Sequence, residues 1–310
     1  MAMDRLIQNI IEKQNPTVVG LDPKLDYIPK QILDAAFAKE GETLRGAAEA
    51  VLAYNKGIID AVCGIVPAVK PQCAYYEAFG WEGMRVLAET VSYAKGKGMF
   101  VILDGKRNDI GSTMEAYAGA HLGIVKVGAN EYEPFGGDAL TVNGYLGTDG
   151  IGPLLGVCAA RDRGVFVLVK TSNPSSGELQ DRKLEGGETV YEAMAAKCEE
   201  WGAGSVGAFG YSAVGAVVGA TWPKELAALR RLMPHTMILV PGYGAQGGGA
   251  SDAAGAFDEK GLGAVVNSSR AVLTAWKKKG DDGNRFAECA AEEAIRMRED
   301  LKTVLPARIG

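Results

Sequence analysis

The sequence has no apolar run near the ~18 residues that a membrane span requires, so we expect no membrane partner. Its five cysteines are odd in number and share no CxxC spacing. This pattern argues against a disulfide framework or a zinc site and favours a reduced, cytoplasmic chain. The N-terminus lacks the charged-then-apolar order of a signal peptide. A net charge of −5 offers no basic field for nucleic acid.

Histidine is scarce as well. His121 and His235 both lie outside the predicted strand ends, and no pyridoxal-lysine context, flavin motif or metal-ligand cluster is evident. Any chemistry is therefore predicted to need no cofactor and no metal. Apolar residues make up 47% and charged residues 23% of the chain, which is ordinary globular composition. We expect residues 1–310 to form a single domain, because α/β barrels of this length commonly do.

Short runs rich in Val and Ile alternate with longer segments of helical spacing. Most of these runs are continuously apolar, as parallel strands covered on both faces are. The alternation predicts an α/β fold, a single (β/α)8 TIM barrel, with an open doubly wound sheet as the alternative. Extra helices are predicted at both ends, over Asp4–Lys13 and Glu288–Val304. The eight predicted strands are Thr17–Leu21, Ile65–Val69, Met99–Leu103, Ala139–Val142, Val165–Val169, Val214–Val218, Met237–Val240 and Ala264–Val266.

Helices are predicted between these strands from apolar residues at helical spacing. The last of them has Thr221 as its predicted N-cap and Pro223 near its first turn. The predicted segments are Ala47–Val62, Met84–Ala94, Thr113–Val125, Thr189–Trp201 and Lys224–Leu232.

Charged residues follow the third predicted strand directly. Asp104 and Lys106 are two residues apart and share a face of the strand, and Asp109 follows three residues later. At ~4 Å and an effective dielectric constant of ~20, each pairwise interaction is worth roughly 4 kcal/mol. Taken alone, the group fits a surface salt bridge as well as an active site.

Most of the other predicted strands also end in polar groups. Because a barrel collects its chemistry at the C-terminal ends of its strands, this coincidence favours a functional site there. The glycines between Pro241 and Gly249 let backbone N–H groups approach a ligand, and Arg270 could fork onto phosphate oxygens. A flexible turn with a surface arginine is the alternative. The groups at the strand ends are Asp22, Lys70, Asn143, Lys170–Pro174, Pro241–Gly248 and Asn267–Arg270.

The segment from Asp104 to Thr113, DGKRNDIGST, resembles the D-x-K-x-x-D-I-x-x-T signature of orotidine 5′-phosphate decarboxylases, in the form of their bacterial type 2 branch. Sugar-phosphate lyases of the same superfamily share the shorter D-x-K-x-x-D motif. The resemblance covers essentially the whole chain, because further segments occur in the family's order. These segments are GLDP at 20–23, VKPQ at 69–72, LVKTSNP at 168–174, PGYGAQG at 241–247 and NSSR at 267–270.

The resemblance implies cofactor-independent decarboxylation of orotidine 5′-phosphate to UMP, the last step of de novo pyrimidine biosynthesis. Lys106 would stabilise the carbanion at C6 and protonate it. Asp104 would lie near the departing carboxylate, and Lys70 and Asp109 would complete an alternating array. Asp109 and Thr113 would reach into the neighbouring subunit's site, which implies a homodimer.

The same resemblance assigns substrate-binding residues. Asp22 would contact the ribose. The glycine loop, including Pro241 and Gly244, would hold the 5′-phosphate together with Gln246 and Arg270.

Several points stay open in the sequence. Asn143, Thr148 or Ser172 could recognise the pyrimidine edge. Residues 126–137 look like an insertion of unknown purpose, and residues 175–188 are predicted to be a disordered loop or a lid. The alternative functions are a metal-dependent phosphosugar lyase or epimerase of the same superfamily and a non-catalytic nucleotide-binding barrel.

Overall fold

The computed structural model describes residues 1–244 and 249–310. Within these residues, eight parallel strands close into a barrel in the order β1-β10-β9-β8-β7-β6-β3-β2. Because β1 pairs with both β2 and β10, the sheet has no free edge, which excludes the open doubly wound alternative. The barrel strands are β1 (Thr17–Leu21), β2 (Ala68–Pro71), β3 (Phe100–Arg107), β6 (Ala139–Val142), β7 (Gly164–Lys170), β8 (Val214–Val218), β9 (Ile238–Val240) and β10 (Ala264–Ser268).

Helices cover the outside of the barrel. None in the described part of the chain is both long and apolar enough to cross a membrane. They are α1 (Ala2–Lys13), α2 (Lys30–Glu40), α3 (Leu44–Val62), α4 (Cys73–Glu77), α5 (Gly80–Gly96), α6 (Gly111–His121), α7 (Thr148–Arg161), α8 (Val190–Gly202), α9 (Pro223–Leu232), α10 (Ala250–Ala253), α11 (Arg270–Leu273), α12 (Ala275–Lys278) and α13 (Phe286–Lys302).

Two apolar clusters fill the barrel and its outer shell. The larger cluster lies between the strands and the surrounding helices. The smaller lies inside the barrel, where Phe100 and Phe166 pack with the apolar face of α1. Helix α1 crosses the end at which the strands begin: Asn9 Nδ2 donates to Pro67 O at 3.2 Å and Arg5 pairs with Asp138 at 2.9 Å. This closure leaves the opposite end, where the strands finish, for a site.

The eight predicted strands are confirmed, as are the extra helices at both ends, but β2 begins at Ala68 instead of Ile65 and β3 continues past Leu103 to Arg107. Two local predictions are wrong. The helix predicted to reach Val125 ends at His121, because the chain there turns into a hairpin. Thr221 does not cap α9; Trp222 is the N-cap, and the Thr221 hydroxyl donates to Ser172 O at 3.4 Å instead.

The two segments of unknown purpose have defined structures. The predicted insertion contains an antiparallel hairpin, β4 (Val125–Val127) and β5 (Asn130–Tyr132). The segment after β7 contains a 3-10 helix, Pro174–Glu178, and a bridge between Lys183 and Thr189. Of the two alternatives for residues 175–188, disorder is therefore wrong, and a lid stays a prediction.

Candidate active site

Asp104 is the centre of the candidate site. It lies near the end of β3 and is only 6% exposed. Its Oδ2 accepts a hydrogen bond from Lys70 Nζ at 2.6 Å, and its Oδ1 accepts one from Lys106 Nζ at 2.6 Å. Lys70 comes from β2 and is buried, whereas the Lys106 side chain is 46% exposed. We refer to Lys70, Asp104 and Lys106 as the charged array.

The charges of the array decide the protonation of Asp104. Burial alone would raise the pKa of this carboxyl, but the neighbouring charges of Lys70 and Lys106 outweigh burial and hold the pKa far below its ordinary value. Burial alone would lower the pKa of Lys70. The carboxylates of Asp104 and Asp22 outweigh burial, so the pKa of Lys70 is raised above its ordinary value. A buried carboxylate and a buried ammonium therefore remain ionised together at neutral pH.

The backbone of Lys106 is unusual. Its φ of 46° lies in the left-handed region, which costs a residue with a side chain roughly 1–2 kcal/mol. The register between β3 and β6 shifts at this point, because β3 advances from Leu103 to Arg107 while β6 advances only from Leu140 to Val142. Such irregularities often re-aim a side chain beside an active site. Here the bend directs Lys106 Nζ back to Asp104.

Two cavities meet at the charged array. The first has a volume of about 390 Å³ and is lined on one side by Asp22 and Tyr75 and on the other by Tyr243, Asn267 and Arg270. The second, of about 420 Å³, is more apolar and is lined by Leu168, Val217, Leu239, Ser172 and Asn173 among others. Lys70, Asp104 and Pro241 line both cavities.

Several predicted binding residues line the first cavity. Asp22 follows β1, and its buried Oδ1 has no hydrogen-bond partner within the described residues. Pro241 follows β9, and Arg270 follows β10 as the first residue of α11. Gly244 has a φ of 75°, a conformation that favours glycine. Gln246 lies outside the described residues.

Three predicted residues make no hydrogen bond or ion pair with the array of their own chain in the described part of the structure. The Asp109 carboxylate accepts from the backbone N–H of Ile110 at 2.8 Å and, within the described ranges, forms no ion pair with Lys70 or Lys106. Thr113 is exposed on α6. Asn143 Oδ1 accepts from Tyr145 N–H at 2.9 Å, so it closes the turn after β6.

The structure adds Thr141 and Gln180, which the sequence did not single out, and gives the surroundings of Asn267, a predicted strand-end residue. Thr141, inside β6, is hydrogen-bonded through its hydroxyl to Asp104 Oδ1 and to the Lys106 N–H. Gln180 reaches the second cavity, and its side chain is hydrogen-bonded to the N–H and the hydroxyl of Thr171. Asn267 is buried in the first cavity with Oδ1 unpaired among the described residues. A polar residue inside an otherwise apolar strand was the available signal for Thr141.

Within the described ranges, no group of three or more His, Cys, Asp or Glu side chains is arranged to hold a metal ion. The fold and the site together define a class: a TIM-barrel enzyme with an array of paired charges at the C-terminal ends of its strands.

Comparison with known proteins specifies the family within that class. Residues 38–280 match the model of the orotidine 5′-phosphate decarboxylase / HUMPS family. The chain belongs to this family.

Named relatives agree with that assignment. An orotidine 5′-phosphate decarboxylase of Rhodopirellula baltica is 46% identical, with 94% of this chain and 96% of the relative aligned. One from Clostridium perfringens strain 13 is 39% identical over 98% of this chain and 99% of the relative. The structure of Leishmania donovani OMP decarboxylase superposes with a TM-score of 0.70 at 29% identity, covering 96% of this chain and 98% of that one.

Proposed function

We propose that this chain decarboxylates orotidine 5′-phosphate to UMP, the last step of de novo pyrimidine biosynthesis, without a cofactor. Family membership supports the reaction, and the charged array is the observation that carries the mechanism. The bond from C6 to the carboxylate carbon breaks, carbon dioxide leaves, and the electron pair stays on C6. Lys106 Nζ then gives its proton to C6 and is reprotonated from water.

The charged array supplies the electrostatic stabilisation that the carbanion formed in this reaction needs. A carbanion at C6 has no adjacent electron sink, so stabilisation must come from charges already in place. Lys106 lines the second cavity, and its ammonium is held in place by a hydrogen bond to the Asp104 carboxylate. Asp104, ionised at neutral pH, would disfavour a substrate carboxylate beside it and so favour its departure.

The two cavities suit the two halves of the substrate. We place the pyrimidine in the more apolar second cavity and the ribose 5′-phosphate in the first, with Asp22 at the ribose. Pro241, Gly244, Gln246 and Arg270 are the proposed phosphate-side residues. The placement is supported by the position of the array, which lies where the cavities meet.

Ser172 is the proposed reader of the pyrimidine edge. It lines the second cavity, and no hydrogen bond occupies its hydroxyl within the described residues. The two alternatives already have local partners: Asn143 Oδ1 accepts from Tyr145, and the Thr148 hydroxyl accepts from the Trp201 indole at 3.0 Å.

A homodimer with shared sites is also proposed. The loops after β3 and β6 expose Ile110, Tyr145 and Leu146, and Tyr145 is 74% exposed. Large apolar side chains grouped on a surface mark interaction sites. Asp109 and Thr113 lie in the same region, and Asp109 has no ion pair with its own array in the described structure. A second copy would therefore receive these two side chains.

We further propose that residues 1–310 form one domain and that the protein works in the cytoplasm. Packing of the terminal helix α13 against α3 supports the first point. Five free cysteines, four of them buried, support a reducing compartment.

The test of the reaction is the loss of orotidine 5′-phosphate absorbance with UMP identified as product. We expect turnover to be unchanged by a chelator such as EDTA. A metal-dependent phosphosugar enzyme of the same superfamily would lose activity on chelation and would act on a sugar phosphate. Absence of UMP formation by folded wild-type protein would refute the proposed reaction.

A further inference from the structure

The hydroxyl of Thr141 is hydrogen-bonded to two residues of the charged array, Asp104 and Lys106. Thr141 lies on β6, next to β3, and is only 1% exposed. Its Oγ accepts a hydrogen bond from the backbone N–H of Lys106 at 3.0 Å and lies 2.8 Å from Asp104 Oδ1. A backbone N–H can only donate, and an ionised carboxylate can only accept. The Thr141 hydroxyl therefore donates its hydrogen to Asp104 Oδ1 while it accepts from the Lys106 N–H, so it acts as donor and acceptor at once.

Thr141 satisfies a backbone group that the sheet cannot. Where β3 and β6 lose register, the Lys106 amide is left out of the regular ladder. The left-handed φ of Lys106 persists only if its surroundings enforce it. The Thr141 hydroxyl is the partner that the structure provides for this amide.

We infer that Thr141 is a positioning residue for the decarboxylation, an inference that rests on the proposed function. The hydroxyl fixes the Lys106 backbone and Asp104 Oδ1 at the same time, and Lys106 Nζ is bound to that same oxygen at 2.6 Å. The Thr141 hydroxyl thus holds the Lys106 side chain at its backbone end directly and at its ammonium end through Asp104.

Loss of the hydroxyl should affect proton delivery more than binding. The Lys106 amide would lose its partner, the bend in β3 would relax, and Nζ would move relative to C6. A displacement of about 1 Å at a reacting group can cost about 100-fold in rate. Thr141 lines the second cavity and not the first, and its hydroxyl is already engaged by Lys106 and Asp104. It therefore offers no hydrogen bond to a bound nucleotide, and the affinity for UMP should change little.

The experiment compares Thr141→Val, which keeps the shape but lacks the hydroxyl, with Thr141→Ser, which keeps the hydroxyl. Thr17→Val is the matched control, because Thr17 is an equally buried strand residue whose Oγ1 has no partner within the described residues. We expect kcat to fall about 100-fold in Thr141→Val with UMP affinity within about threefold of wild type. Thr141→Ser should recover most of the activity, and Thr17→Val should match wild type.

Wild-type kcat in Thr141→Val would overturn the inference, and so would a folded Thr141→Ser as impaired as the valine variant. Amide hydrogen exchange at Lys106 gives a readout independent of turnover: it should accelerate in Thr141→Val and not in Thr141→Ser. Unchanged exchange would also overturn the inference. Thr141→Ala serves in place of a valine variant that does not fold. Failure of wild type to form UMP would instead refute the proposed function.

Discussion

At the scale of single residues, Asp104 holds the site together. One buried carboxylate receives Lys70 and Thr141 from neighbouring strands and Lys106 from its own. Burial of such a group is unfavourable unless its charge is compensated, and the two lysines compensate it. The same arrangement keeps Asp104 ionised, so stability and catalysis depend on one carboxylate.

The stability of the array should depend on pH in a defined direction. The folded-state pKa of Asp104 is depressed, so its contribution is complete above the unfolded pKa of about 3.9 and is lost as the pH falls through the folded pKa. We expect Asp104→Asn to lower the free energy of unfolding by about 3 kcal/mol at pH 7, because the buried Lys70 loses the carboxylate with which it forms its ion pair. Denaturant unfolding should show that the difference in free energy of unfolding between wild type and Asp104→Asn narrows below about pH 3.9.

Asp60→Asn is the matched control, since Asp60 pairs with Lys97 on the surface. It should change stability little at any pH. A gap between wild type and Asp104→Asn that widens on acidification would contradict the assigned ionisation.

At the scale of elements, the segment after β7 is folded back onto the strand end. Lys170, the last residue of β7, is 1% exposed and pairs with Asp181. Its Nζ lies 4.7 Å from the centre of the Trp222 ring. Gln180, next to Asp181, binds Thr171 and faces the second cavity. The ion pair between Lys170 and Asp181 therefore fixes the wall of the second cavity that contains Ser172.

Asp181→Asn should loosen this wall without unfolding the barrel. A hydrogen bond to a charged group is worth about 1.5–3 kcal/mol, so we expect KM for orotidine 5′-phosphate to rise roughly tenfold. Hydrogen exchange should accelerate across residues 171–181, and the melting temperature should fall as well, because Lys170 is left buried without its ion-pair partner. Glu200→Gln, which breaks the exposed pair with Lys197, is the control and should alter neither quantity. Unchanged exchange in this segment would show that Lys170 does not anchor it.

The sequence predicts the elements better than the local geometry. Short, mostly apolar runs identify β1, β6 and β8 to the residue, because burial on both faces leaves a clear pattern. The same pattern predicts that Asp104 and Lys106 lie at the C-terminal end of the third strand. It does not predict the bend that places Lys106, since the bend arises from a register shift between two strands that no single segment encodes. Helix α2 was also missed, because it buries none of its residues completely and so has a weak apolar stripe.

At the scale of the whole molecule, the proposed dimer makes each site depend on two chains. Helix α6 exposes Thr113 and Glu115, and the preceding Ile110 is exposed as well. A twofold interface uses the same surface on both copies, so each partner would give its Asp109 to the other's array.

Mixing two inactive variants tests this arrangement. A hybrid of Lys106→Ala and Asp109→Ala subunits contains one site with both residues intact. Random exchange should therefore restore about a quarter of wild-type activity. The control is a mixture of Lys106→Ala with Asp104→Ala, which alter the same chain's contribution and should stay inactive. Equal activity of the two mixtures would rule out sites shared through Asp109.

The central claim is that Lys106 delivers the proton to C6, and the most direct measurement is turnover of orotidine 5′-phosphate by Lys106→Ala alongside its affinity for UMP. We expect a folded protein that still binds UMP and has lost at least about 10³-fold in kcat, in line with the loss of a general acid that also stabilises charge. Wild-type turnover in that folded variant would contradict the account.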